Sequence, residues 1–115
     1  MKFISRNVLA TLIFLLFAAQ LKAQYPEIET KLDKEIKAFL VENTNEWQDM
    51  NVPLYDGKVL YDLILENNFT KAVEIGTSTG HSAIWMAWAL SKTGGKLITI
   101  EIDKRRYLEA KANFT

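Results

Sequence analysis

Lys71-Ala72-Val73-Glu74-Ile75-Gly76-Thr77-Ser78-Thr79-Gly80-His81-Ser82 is the stretch on which the fold turns, and Leu97-Ile98-Thr99-Ile100-Glu101-Ile102-Asp103 echoes its form. Each is a short apolar run that stops at a polar loop. Ala72 to Ile75 reads as a buried strand, short, β-branched and closing beside an acid. Gly76 and Gly80 then bracket three small hydroxyl residues, and an amphipathic helix opens at about His81. Glycines in such a loop let the backbone turn sharply and approach a ligand. The first turn of the helix adds unpaired N–H groups and a partial positive charge. A second strand, Lys96 to Glu101, again ends in a carboxylate, at the distance a crossover helix imposes. The pattern predicts an α/β fold with a doubly wound, mostly parallel sheet. Its βαβ unit is of the kind that binds a mononucleotide, with an acid placed for ribose hydroxyls.

The spacing narrows the ligand. A dinucleotide fingerprint requires G-x-G-x-x-G, and Ser78 stands at the second glycine position. A P-loop requires G-K-[ST] at the helix start, which this stretch lacks. What stands here is E-x-G-x-x-x-G, a looser loop suited to a carboxylate-bearing ligand without phosphates. The pattern resembles motif I of class I S-adenosylmethionine-dependent methyltransferases. More narrowly, Val73-Glu74-Ile75-Gly76 through Gly80-His81-Ser82-Ala83, followed by Leu97 to Asp103, is similar to the catechol and caffeoyl-CoA O-methyltransferase family. Met50-Asn51-Val52 with Asp56-Gly57-Lys58 is similar to that family's leading helix, so the resemblance runs from about Met50 to the C-terminus.

The resemblance implies a Rossmann-like fold, of which residues 24–115 hold the N-terminal helices and the first two strands. It implies S-adenosylmethionine as cofactor and methyl transfer to a hydroxyl of a small, catechol-like acceptor. It places Val52, Glu74, Gly76, Ser78, Gly80, Ser82 and Glu101 at cofactor-binding positions, with Glu74 near the ligand's cationic methionine end and Ser82 near its amino-acid end. Members of the family commonly add a divalent cation such as Mg. The carboxylates for that ion, and the groups around the acceptor, lie beyond the matched region, so no catalytic or metal-binding residue is assigned. A homodimer of the full-length enzyme is compatible with the resemblance.

At the N-terminus, Lys2 and Arg6 precede an apolar run from Val8 to Ala19, and Leu21-Lys22-Ala23 offers a small residue for cleavage. This is the layout of a secretory signal over residues 1–23, and the run is short of the roughly 20 residues a membrane span needs. The expectation is export to the periplasm or beyond, with a membrane anchor if the segment stays uncleaved. Removing it takes away Lys2, Arg6 and Lys22 and leaves 11 basic against 14 acidic groups, a formal charge of −3. That balance suits a protein with no nucleic-acid partner and no stable membrane association once the signal is gone. The absence of cysteine excludes a thiolate metal site, a cysteine nucleophile and a disulfide framework.

The remaining chain reads as helices around the two strands. Ile28, Leu32, Ile36, Phe39 and Leu40 recur at helical spacing from Tyr25 to about Trp47, with Pro26 early and Glu27–Lys31 and Asp33–Lys37 as i,i+4 pairs. Asp56 is expected to cap a helix to about Asn67 that buries Val59, Leu60, Leu63 and Ile64. The helix from His81 to Lys92 should bury Ala83, Ile84, Ala87 and Trp88 and stop at Gly94-Gly95. A last helix begins at Asp103, with Tyr107, Leu108, Ala110 and Phe114 apolar. Trp47, Trp85 and Trp88 read as packing residues, and His81, the only histidine, as a half-exposed residue flanking the loop.

Glu101 offers the sharpest chemistry: a carboxylate accepts from both vicinal ribose hydroxyls through charge-assisted bonds that a neutral side chain cannot match. Two other functions fit parts of the chain. One is a nucleotide-dependent oxidoreductase, against which the missing middle glycine speaks. The other is a non-catalytic remnant, since two parallel strands leave an apolar edge without a neighbour. That edge leads to the expectation that the sequence is either a piece of a longer enzyme or a truncated product.

Overall fold

The computed structural model describes residues 8–15 and 25–115. Residues 8–15 lie in a helix, α1, and are followed by α2 (Lys31–Glu42), α3 (Leu54–Glu66), β1 (Lys71–Ile75), α4 (His81–Thr93), β2 (Lys96–Ile100) and α5 (Lys104–Asn113). The two strands pair in parallel, from Lys71 opposite Lys96 to Ile75 opposite Ile100, with α4 as the crossover between them. Each strand lies where its apolar run placed it, with β1 starting one residue earlier, at Lys71, and β2 ending one residue sooner, at Ile100, so that Glu101 stands just past the ladder.

α4 is the hub. Nine of its thirteen residues are buried, so it is apolar on nearly every side, as a helix between a sheet and other helices must be. Trp85 and Trp88 are fully buried, and Tyr61 from α3 meets both rings edge-on. α3 comes this close because of Gly57: a Cβ there would stand 2.3 Å from Cδ1 of Trp85. Ala87, expected inside, is instead exposed, at the open groove between α2, α4 and the end of α5. Gly94, at φ 70°, ends the helix as expected.

The first long helix is shorter than its periodicity suggested. It starts at Lys31 rather than near Tyr25, because Thr30 and Asp33 form a reciprocal capping box: Asp33 N donates to Thr30 Oγ1 (3.1 Å) and Thr30 N to Asp33 Oδ2 (2.8 Å). Pro26 lies in the extended lead before it, and Trp47 in the turns beyond Asn43. Asp33 is not the surface partner of Lys37. It is 1% exposed, accepts from Trp88 Nε1 (2.6 Å) and pairs with Lys92 (3.0 Å), pinning α2 to α4. Burial alone would raise its pKa, but the bonds from Trp88, Lys92 and Thr30 outweigh that and hold it well below the usual carboxylate range. Lys31 likewise pairs with Glu35 rather than Glu27. Ile28 and Leu32 are exposed and Leu40 carries the buried face.

α3 begins two residues before Asp56, with Pro53 at its N-cap, and buries Gly57, Tyr61 and Ile64 while Val59 and Leu63 stay exposed. In α5, Asp103 caps by accepting from Arg106 N (2.9 Å); Ala110 is its buried residue, and Tyr107, Leu108 and Phe114 remain half exposed. One face of the sheet, Ala72 and Leu97, packs on the core. On the other face Val73, Ile75, Ile98 and Ile100 are all at least half exposed, so β1, expected to be buried, is covered on one face only. α1 exposes its apolar side chains. The basic residues and cleavage position of the expected signal lie outside the described residues. Among the described residues, no helix is long and apolar enough to cross a membrane.

Candidate functional site

The loop 76–80 leaves β1 at the edge of β2: Gly76 N and Thr77 N both donate to Ile100 O, at 2.8 and 3.2 Å. Gly76 (φ 92°) and Gly80 (φ 106°) take left-handed backbone, and Ser78 does too, at φ 50°. Ser78 therefore adopts, at the position of the absent glycine, a conformation glycine would take without strain. It is held there by two bonds: its N–H donates to Glu101 Oε2 (2.7 Å) and its hydroxyl to Asp49 O. Nothing lies within 4 Å of a Cβ built on Gly76, so this side of the loop is bare, whereas Gly80 is backed by the Phe114 ring.

Three parts of the chain converge on this loop. From upstream, Asn51 Nδ2 donates to Thr79 Oγ1 (2.7 Å) and its Oδ1 accepts from His81 N (3.3 Å). Val52 O lies 2.7 Å from His81 Nδ1. From the far end, Asn113 Nδ2 donates to Thr79 O (2.8 Å). From β2, Glu101 completes the frame by accepting a second backbone bond from Asp103 N (2.9 Å). The backbone bonds from Asp103 and Ser78 hold its pKa below the usual carboxylate range.

Glu74 points to the α4 side of the sheet. Its Oε1 accepts from Ser82 Oγ and its Oε2 from Thr99 Oγ1 (2.5 Å), while Thr99 and Thr77 share a bond of 2.6 Å. Ser82 thus ties the first turn of α4 to the carboxylate of β1. The seven positions singled out in the sequence are brought together: Glu74 with Ser82, Ser78 with Glu101, Val52 with the start of α4, and Gly76 and Gly80 as the loop's two ends.

His81 is corrected. It is 1% exposed, not half exposed, and stacks on Trp47 at 4.7 Å. Trp85 Nε1 donates to its Nε2 (3.1 Å), so Nδ1 carries the proton and donates to Val52 O. Burial lowers its pKa, and the Val52 carbonyl offsets only part of that. Sequence reasoning also missed Asp49, Asn51 and Thr99, which anchor the loop; the alternation of β2 was the signal for Thr99, which shares a face with Leu97.

A cavity of ≈ 220 Å³ opens between Thr77, Thr99 and Glu101 on one wall and Tyr107, Lys111 and Phe114 on the other. It is smaller than the roughly 300–1,000 Å³ of a typical ligand pocket, so it suits one end of a ligand. A larger one, ≈ 420 Å³, runs between α2, α4 and the end of α5 and touches none of the seven positions. Among the described residues, no three His, Asp or Glu side chains are grouped to hold a metal ion.

Comparison with known proteins gives a consistent picture. A family model described as O-methyltransferase matches residues 23–114. A flavonoid 3',5'-methyltransferase from Vitis vinifera is 35% identical over 83 residues, covering 72% of this chain and 34% of that protein. A candidate caffeoyl-CoA O-methyltransferase from Arabidopsis thaliana is 35% identical over the same length, 72% of this chain and 35% of that one. The chain therefore spans about a third of the curated relatives it matches. Among solved structures, the O-methyltransferase from Bacillus cereus in complex with SAH (S-adenosylhomocysteine) superposes with TM-score 0.59 at 26% identity, over 83% of this chain and 42% of that one. TomG from Streptomyces achromogenes, an O-methyltransferase of tomaymycin synthesis solved with SAM (S-adenosylmethionine), gives TM-score 0.56 at 27% identity, over 84% and 41%. With its strand–loop–helix, its acidic strand ends and a family match across most of its length, the chain belongs to the O-methyltransferase family.

Proposed function

We propose that this chain forms the cofactor-binding part of an S-adenosylmethionine-dependent O-methyltransferase acting on a hydroxyl of a small acceptor. The observation that carries the reading is Glu101, held at the tip of β2 by Ser78 N and Asp103 N beside the bare face of Gly76. Those two bonds use one acceptor site on each carboxylate oxygen. A carboxylate has about four such sites, so two remain for a pair of vicinal hydroxyls. Glu74 and Ser82 stand at the start of α4, where a ligand's ammonium and carboxylate groups find an acid and a hydroxyl. The cofactors in the Bacillus and Streptomyces structures support the same reading.

Bound S-adenosylmethionine would supply an electrophilic methyl group on a cationic sulfur. The work of this chain's residues is positional: Glu101 orients the ribose, the 76–80 loop fixes the depth of the ligand, and the buried base of α4 keeps the loop from moving. Such fixed placement removes a large part of an entropic barrier. A catechol-like acceptor, a divalent cation held by residues beyond the matched region, a homodimer and export by the 1–23 segment complete the proposal. Mass spectrometry of protein from its native host should find a chain starting at about Gln24, and intact Met1 protein in the cytoplasm would refute export.

The direct test is calorimetric titration of the full-length protein with S-adenosylmethionine and S-adenosylhomocysteine. Glu101→Ala should lose on the order of tenfold to several hundredfold in affinity for both ligands, since both share the ribose. Glu101→Gln keeps one acceptor oxygen and should lose less. Binding by Glu101→Ala within about twofold of wild type, far below the loss those bonds predict, would reduce Glu101 to a brace for the backbone of Ser78 and Asp103.

A further inference from the structure

The 76–80 loop is roofed by residues 49–52, a strap whose backbone is under strain. Met50 sits at φ 56°, a left-handed conformation costly for a residue with a side chain, and that side chain is 80% exposed. No packing of Met50 itself explains why the strap stays in this shape. Asn51 and Val52 bond Thr79 and His81, and the Asp49 carbonyl accepts from Ser78. The Asp49 carboxylate does something different. It leaves the loop and reaches α5, where Arg106 grips it as a fork, Nε to Oδ2 at 3.1 Å and Nη2 to Oδ1 at 2.9 Å, and Arg105 adds a second pair.

Arg106 is well placed to pass this constraint on. Its N–H donates to the Asp103 side chain that caps α5, and Asp103 N in turn donates to Glu101. A continuous set of bonds thus links the strap to the turn that carries the ribose-facing acid. Side-chain exposure is 34% at Asp49 and 28% at Arg106, so the clasp is shielded in part but open to salt. Its partners lie 56 and 57 residues apart, so it forms only when strap, loop and α5 have all assembled.

We infer that Asp49, through its two-arginine clasp with Arg105 and Arg106, is a positioning residue that keeps the strap closed over the glycine loop and thereby sets cofactor affinity. The inference rests on the cofactor reading proposed above. Without the clasp, the strained strap and the two adjacent guanidinium charges favour an open form, and apparent affinity falls by the fraction of molecules still closed.

The test compares wild type with Asp49→Asn in the full-length protein, using S-adenosylhomocysteine, which lacks the sulfonium charge and so keeps the ligand's own salt dependence small. Asp49→Asn should bind about threefold to tenfold more weakly at low salt. Wild-type affinity should fall between 0.05 and 0.5 M NaCl, values on the order of those that span the screening range, while the variant stays flat. In the ligand-free variant, amide exchange should speed up at residues 49–52 and remain unchanged in α4. A purely structural role would raise exchange in α4 as well and leave the salt slope intact. Equal affinity, equal salt slope and unchanged exchange at 49–52 would overturn the clasp. If wild type fails to bind the ligand, the cofactor reading falls, and the exchange comparison still decides whether the clasp holds the strap. Should Asp49→Asn not fold, Arg105→Gln combined with Arg106→Gln removes the clasp from the other side, and the same outcomes apply.

Discussion

His81 holds a neutral imidazole because both of its ring nitrogens are engaged: Nδ1 donates to Val52 and Nε2 accepts from Trp85. Protonation would force a second donor against the Trp85 N–H inside a ring of aromatic side chains. The folded pKa therefore lies below the usual value of about 6.5, and the sign of the pH effect follows. Between the folded and unfolded pKa values the unfolded chain binds the proton and the folded chain does not. Stability is complete above about pH 6.5 and falls as the pH drops below it, by at most about 1.4 kcal/mol per pH unit. Since His81 is the only histidine, a melting series from pH 7.5 to 5, about the range in which an ordinary imidazole titrates, isolates its contribution. His81→Gln should lower the melting temperature at every pH yet remove this slope; an unchanged slope would assign it elsewhere. The burial of His81 was not legible in the sequence. The loop chemistry around it was, because glycines and acids at strand ends act locally. The lid over His81 comes from Trp47 and Val52, whose approach no local pattern announces.

At the scale of elements, the contact between α3 and α4 depends on a missing side chain. Gly57→Ala should gain up to about 1 kcal/mol in helix propensity. It must also push a methyl into the Trp85 indole, a clash that costs about 1–3 kcal/mol or more in a packed core. Net destabilisation is expected, read as a lower denaturation midpoint with an unchanged m-value, and a stabilised variant would show that α3 can retreat without cost. Element limits were legible where a capping residue stood in the pattern, as at Gly94 and Asp103. The start of α2 could have been read as well, from the Thr30-x-x-Asp33 capping box. What could not be read was that Asp33 also serves a second helix, since Trp88 and Lys92 lie 55 and 59 residues away.

For the molecule as a whole, the sheet decides behaviour in solution. Val73, Ile75, Ile98 and Ile100 form one apolar face, and Ile102 beside it is fully exposed. Contiguous exposed patches of this kind promote association. Residues 25–115 expressed alone should bind a hydrophobic dye and self-associate, and Val73→Thr with Ile98→Thr should reduce both. A sharp cooperative melt of a soluble, dye-silent monomer would show that the face is not a liability. The parallel pairing was already contained in the two apolar runs and their spacing; the exposure of Val73 and Ile75 was not, because a short apolar run reads as buried and does not say that one face lacks a cover.

All three tryptophans of the chain sit in or against the aromatic cluster at the base of the loop. Trp85 and Trp88 lie 5.6 Å apart at 36°, close enough for their electronic transitions to couple, and Trp47 stacks on His81 just ahead of the strap. The protein's ultraviolet optics are therefore concentrated at one place. Near-ultraviolet circular dichroism follows the tightness of the helix packing, and emission from Trp47 follows the strap. Opening and closing over the loop become visible without any attached label.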